Sequence, residues 1–173
     1  MKTSKILLSY IGVVLFLTGC GVYSFTGVAI TAETISIKNF YNDADGGPPD
    51  MAQTFTNQLT DYFQRNTNLT QVEEKGELQI EGVVTNYRLT PVAPTATGTD
   101  DVGDAAALTR LTITVSVSYV NTTDENFSFE NKTFSFFEDF DNELNITAIE
   151  ADLLTRIFDQ IILDIFNATV ANW

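Results

Sequence analysis

One thiol is the only strong nucleophile in the chain. Cys20 is the sole cysteine among 173 residues, and histidine is absent. Without His there is no Ser-His-Asp triad, no imidazole base and no imidazole ligand for a metal. A lone Cys makes neither an internal disulfide nor a thiolate zinc site. The other reactive groups are carboxylates, gathered at Asp43/Asp45, Asp100/Asp101/Asp104 and Glu138/Asp139/Asp141. A calcium loop of the EF-hand type needs acids at alternate positions, Gly at six and Glu at twelve. With Gly46 placed at six, Tyr41 falls at one and Ala52 at twelve, so the pattern fails. Glycoside hydrolysis needs two carboxyls opposed across a cleft, and nothing in the sequence sets two of them face to face. Gly46-Gly47 and Gly98 are isolated and make no phosphate-binding loop. The acids read as solvated loops, and the chain reads as a non-enzyme with no cofactor, no metal and no catalytic residue.

The chemistry open to Cys20 is acylation. Lys2 and Lys5 precede an apolar run from Ile6 to Leu17. A bilayer-spanning helix needs about 20 apolar residues, so this run is too short to be a lasting anchor and has the form of a secretory signal. Its end, Leu17-Thr18-Gly19-Cys20, resembles a bacterial lipobox. That resemblance implies diacylglycerol on Cys20, cleavage before it, and acylation of the new amino terminus. Residues 1–19 are thus a lipoprotein signal peptide, and two or three acyl chains suffice for stable anchoring. Gly21 follows the cysteine, and no acid appears before Glu33. By analogy with lipoprotein sorting, this favours the periplasmic side of the outer membrane.

The charge balance excludes another class of partner. Nine Lys+Arg stand against 23 Asp+Glu, for a net charge of −14. Nucleic-acid binding needs clustered cations, so none is expected. An apolar share of 44% excludes a disordered acidic tail. Six Asn-x-Ser/Thr triplets begin at Asn68, Asn121, Asn126, Asn131, Asn145 and Asn167. Beside a lipobox they reflect Asn/Thr-rich composition, not glycosylation.

The elements that carry these groups follow from periodicity. Val22–Ile30 and Thr34–Ile37 read as strand, ending near Asn39 or Phe40. Met51, Phe55, Leu59, Tyr62 and Phe63 recur on one helical face, started near Pro49-Asp50 and ended by Asn66-Thr67-Asn68. Glu77–Leu89 reads as a strand whose phase changes at Gly82-Val83, where a bulge is expected. Arg110–Val120 alternates cleanly: Leu111, Ile113, Val115, Val117 and Tyr119 on one face, Thr112, Thr114, Ser116 and Ser118 on the other. That suits a sheet with one covered and one wet face. Phe127–Phe140 is a further strand with a break at Asn131-Lys132. Leu144–Trp173 is a second helix, with a capping box at Thr147–Glu150. Its apolar arc, Ile149, Leu153, Ile157, Ile161 and Ile165 widened by Leu154, Phe158 and Ile162, exceeds the ~100° of a surface helix. Deep burial explains this, and a partner surface is the alternative. Residues 91–109 lack periodicity, and their Pro, Gly and Asp content predicts a mobile loop. The expected fold is α+β: a two-layer sandwich with two helices on one face of a four-stranded mixed sheet, order βαβββα. Residues 20–173 form a single domain.

Several stretches together resemble the LptE family, in its Bacteroidetes form. They are Gly19-Cys-Gly-Val-Tyr-Ser-Phe25, Ile35-Ser-Ile-Lys-Asn-Phe40, Glu77-Leu-Gln-Ile-Glu-Gly-Val-Val-Thr-Asn-Tyr87, Arg110-Leu-Thr-Ile-Thr-Val-Ser-Val117 and Ile165-Phe-Asn-Ala-Thr-Val-Ala-Asn-Trp173. The resemblance covers nearly all of the mature chain outside residues 91–109. It implies a plug and assembly partner of an LptD-like outer-membrane β-barrel, acting in lipopolysaccharide transport to the outer leaflet. It also implies contact with lipopolysaccharide. The mature chain's cations, Lys38, Arg65, Lys75, Arg88, Arg110, Lys132 and Arg156, are spread along its length, and no residue is assigned to lipid. The alternative role is that of an auxiliary lipoprotein of an ABC-type lipid transporter.

Overall fold

The Leu111–Tyr119 alternation sets the middle of the sheet. The computed structural model describes residues 32–92 and 108–170. In chain order these give β1 (Thr34–Ile37), β2 (Tyr41–Asn42), α1 (Met51–Asn66), β3 (Thr70–Gln71) and β4 (Leu78–Val92). There follow β5 (Leu108–Asn121), a 3-10 turn (Glu125–Phe127), β6 (Phe129–Asp141) and α2 (Ile146–Thr169). The strands run β3-β1-β4-β5-β6 across one sheet, with β2 on the same edge of β4 as β1. β1 and β2 pair parallel with β4, while β4, β5 and β6 form an antiparallel meander. The parallel pairing follows from α1, which supplies the crossover that parallel strands need. The α+β class, the two helices and the mixed sheet are as expected. The strand count is not: the sheet has six strands, not four. β2 and β3 are two residues each, held by neighbours rather than by any pattern of their own.

The apolar faces meet as the periodicity demands. Met51, Phe55, Leu59 and Phe63 of α1, and Leu153, Leu154, Ile157, Phe158, Ile161, Ile162 and Ile165 of α2, are buried against Leu111, Ile113, Val115, Val117 and Tyr119. The wide arc of α2 is therefore core and not a partner surface; Ile149 alone of its expected members is only partly buried. Phe55 links the layers, its ring 5.1 Å from both Phe40 and Phe158 in edge-to-face contact. Such pairs contribute about 0.5–1.5 kcal/mol each beyond their buried area.

Several local expectations shift. The β4 irregularity lies at Thr85, between Val84 and Asn86, not at Gly82-Val83. Gly82 stays in register with Val117 because Phe40 occupies the place of its side chain: a Cβ there would lie 2.4 Å from the Phe40 ring. The break in β6 stands at Asn131, which has φ +50 and with Glu130 faces Ser118. Asn145, not Thr147, caps α2, its Oδ1 accepting from the Thr147 amide at 3.1 Å. α2 begins at Ile146 because Asn145 is extended. Phe127 belongs to the 3-10 turn, and β1 stops at Ile37. The loop is shorter than 91–109, since Pro91 pairs with Thr109 and Val92 with Leu108. Val22–Ile30, the rest of that loop and 171–173 lie outside the described residues.

Candidate interaction surface

The face of the sheet turned away from the helices is built by register. Arg88 of β4 pairs with Thr112, which pairs with Phe137 of β6. Next come Asn86, Thr114 and Ser135, then Val83, Ser116 and Thr133, with Tyr41 beyond Val83. Each row is central hydroxyl with a polar or aromatic flank, because Thr and Ser alternate with the buried Leu111–Tyr119 set. Three of the hydroxyls bond within the sheet. Thr114 Oγ1 and Ser135 Oγ lie 3.0 Å apart, Ser135 Oγ donates to the Ile113 carbonyl at 3.0 Å, and Ser118 Oγ accepts from the Asn131 amide at 3.1 Å. The result is a hydrophilic surface, with Arg88 exposed at its margin.

One cation on this face is held rigidly. Arg110 donates from Nε and Nη2 to the two carboxylate oxygens of Asp139, at 2.7 and 2.8 Å. Its guanidinium lies 3.6 Å over the Phe137 ring, and Phe137 is 43% exposed. The paired hydrogen bonds raise the Arg110 pKa and lower that of Asp139. A planar cation stacked on an aromatic ring and oriented by a carboxylate is a common anchor of protein interfaces. Arg110 and Asp139 meet through register alone, so a hairpin pairing would have been the signal to find them in the sequence. At the other end of the face, Lys38 donates to Glu81 at 2.6 Å, which raises the lysine pKa through that bond first. Lys38, Tyr41, Val83, Ser116 and Asn131 line a shallow depression of about 260 Å³ there. A more open cleft of about 690 Å³ adjoins it, where Gln64, Glu73 and Glu74 face Lys38 and Tyr41.

The acids read as solvated loops include Glu138, Asp139 and Asp141, which instead belong to strand β6. Glu138 lies on the helix side, 3.6 Å from Arg156, while Asp139 lies on the open side with Arg110. Asp43 and Asp45 sit exposed between β2 and α1. Among the described residues no three acidic or thiol side chains come together as a metal site. Asp100, Asp101 and Asp104 lie outside the described residues, as do Cys20 and its flank Leu17, Thr18 and Gly19. No described helix is long and apolar enough to cross a membrane.

The arrangement is that of a two-layer α+β module with one open polar face. The family is now identified: residues 32–169 match the family model LptE, lipopolysaccharide-assembly, and the chain belongs to that family. Curated protein sequences offer no match. Solved structures do. Protein CT253 of Chlamydia trachomatis is 8% identical with TM-score 0.53, over 82% of this chain and 99% of that one. A neuraminyllactose-binding hemagglutinin homolog of Helicobacter pylori is 9% identical with TM-score 0.51, over 78% and 81%. Lipoprotein B of Nitrosomonas europaea is 15% identical with TM-score 0.48, over 78% and 79%. At such identities the first two likenesses concern the fold alone.

Proposed function

We propose that this chain is an outer-membrane lipoprotein that plugs an LptD-type β-barrel and assists its assembly, serving lipopolysaccharide transport to the outer leaflet. Cys20 carries the lipid, residues 1–19 are removed, and the domain faces the periplasm. The observation that carries the reading is the family match, which runs through every described strand and both helices. The surface supports it. A barrel lumen is polar, and the open sheet face presents hydroxyls, locally paired ions and the Arg110–Phe137 platform to such a wall. Binding there is by complementarity; no bond is made or broken. Lipopolysaccharide contact is part of the reading through the family, and no residue is assigned to it. Affinity purification of the tagged protein from its own membranes tests the proposal. Recovery of a large β-barrel in fixed proportion is expected. Recovery of an inner-membrane transporter instead would replace this reading with that of a transporter lipoprotein.

A further inference from the structure

Among the described residues, β6 is the long strand whose outer side is unpaired along its whole length. β6 is the terminal strand, paired on its inner side with β5 from Phe129 to Asp141. Among the described residues, no main-chain hydrogen bond of 129–140 reaches anything but β5. The other border is broken: β1, β2 and β3 are four residues or shorter, and the end of β4 beyond Val84, which has no outer partner among the described residues, carries Arg88 and Pro91. α2 packs on the core face of β6 and leaves Thr133, Ser135, Phe137 and Asp139 exposed. In an antiparallel edge strand, alternate residues direct their N–H and C=O groups outward, a template for one more strand.

Edge strands are normally blunted by bulges, prolines or charges. β6 is blunted only at its start, by the Asn131 bulge and Lys132. From Thr133 to Phe137 the sequence is Thr-Phe-Ser-Phe-Phe, with no Pro, Gly or charge. Beyond it, Glu138 and Asp139 are engaged by Arg156 and Arg110. Glu130 and Asp141, which flank the neutral stretch, are in no ion pair with described residues.

We infer that the outer edge of β6 receives an extended strand from a partner polypeptide, one with apolar and hydroxyl residues alternating at its centre and Lys or Arg at its ends. Main-chain pairing supplies the affinity, and the cations answer Glu130, Asp141 and the chain's net charge of −14. The partner rests on the function proposed above. A closed barrel has no free strand edge, so the segment belongs to a loop or terminal arm of the partner and not to its wall. A second copy of this chain is a poorer occupant, since it brings the same net charge and the same exposed Asp152 and Asp159 on α2.

Amide hydrogen exchange on the full chain, free and in the complex recovered from membranes, tests this. The outward-directed amides of residues 133–140, every second one along the strand, should exchange at least about tenfold more slowly in the complex, the slowing of a strand bound roughly nine-tenths of the time. β5 amides should change little. An intact barrel complex with unprotected β6 amides overturns this inference and leaves the proposed function standing. If no barrel is recovered, that function fails, and the edge is decided by a short synthetic peptide of alternating Val and Thr with terminal lysines. Protection of β6 by this peptide, but not by its glutamate-ended counterpart, supports the inference. Protection by neither overturns it, as does protection that rises with protein concentration alone, which would mean self-pairing.

Discussion

Gly82→Ala isolates the contact that joins β2 to the core. A Cβ at residue 82 would stand 2.4 Å from Cε1 of Phe40 and 2.5 Å from the Ser116 carbonyl oxygen. Neither neighbour can yield cheaply. Phe40 is 5% exposed, its ring packs edge-on against Phe55, and its amide donates to Thr56 Oγ1 at 3.0 Å. The Ser116 oxygen belongs to the central strand. Ala normally favours a strand interior over Gly by a few tenths of a kcal/mol, but overpacking a close-fitted core costs about 1–3 kcal/mol. The clash wins, and Gly82→Ala should destabilise by about 1–3 kcal/mol. For a domain of this size that is a fall in Tm of roughly 3–10 °C. Chemical denaturation followed by circular dichroism reads it. Adding Phe40→Leu, which withdraws the ring, should recover part of the loss, with a coupling of at least about 0.5 kcal/mol. A Gly82→Ala chain as stable as the parent, or strictly additive changes in the double variant, would refute the reasoning.

Three further outcomes are expected. Asn145→Ala should cost about 1 kcal/mol by removing the cap of α2, whereas Thr147→Ala should leave stability within a few tenths, since its side chain caps nothing; urea midpoints compare them. Arg110 holds the Asp139 carboxyl below its ordinary value of 3.8. A depressed acid stabilises the fold fully above that ordinary value and loses the contribution as pH falls through the depressed one. Asp139→Asn should therefore be less stable than the parent at neutral pH and converge with it as the medium is acidified below about 4, read by urea titrations at several pH values; a gap that stays constant contradicts the pairing. Cys20→Ala should move the protein from the membrane fraction to the soluble periplasm, and unchanged membrane retention would refute lipid attachment.

Long alternation and long helical repeats were legible in the sequence because each such element buries its own pattern. Leu111–Tyr119 and the arc of α2 lie where their spacing puts them. β2 and β3 escaped notice because two residues carry no period, and their place is decided by the edges of β4 and β1. The Gly82 reading failed for a tertiary reason: a remote ring, Phe40, completes the core where the glycine has no side chain. Asn-x-Ser/Thr triplets, read as composition, turn out to hold turn chemistry. Asn121 Oδ1 accepts from the Thr123 and Asp124 amides, Asn131 takes the left-handed bulge position, and Asn145 caps α2. Of the open face, the Thr/Ser ladder was legible in β5 alone. The Arg110–Phe137–Asp139 platform was not, because it needs the register of two strands joined by a separate turn.

Contact between the open sheet face and a barrel wall can be trapped directly. A photo-crosslinking residue in place of Ser116, in the middle of that face, should yield one dominant adduct in living cells: this chain joined to a large outer-membrane β-barrel. An adduct with an inner-membrane transporter, or none while the tagged chain resides in the outer membrane, would contradict it.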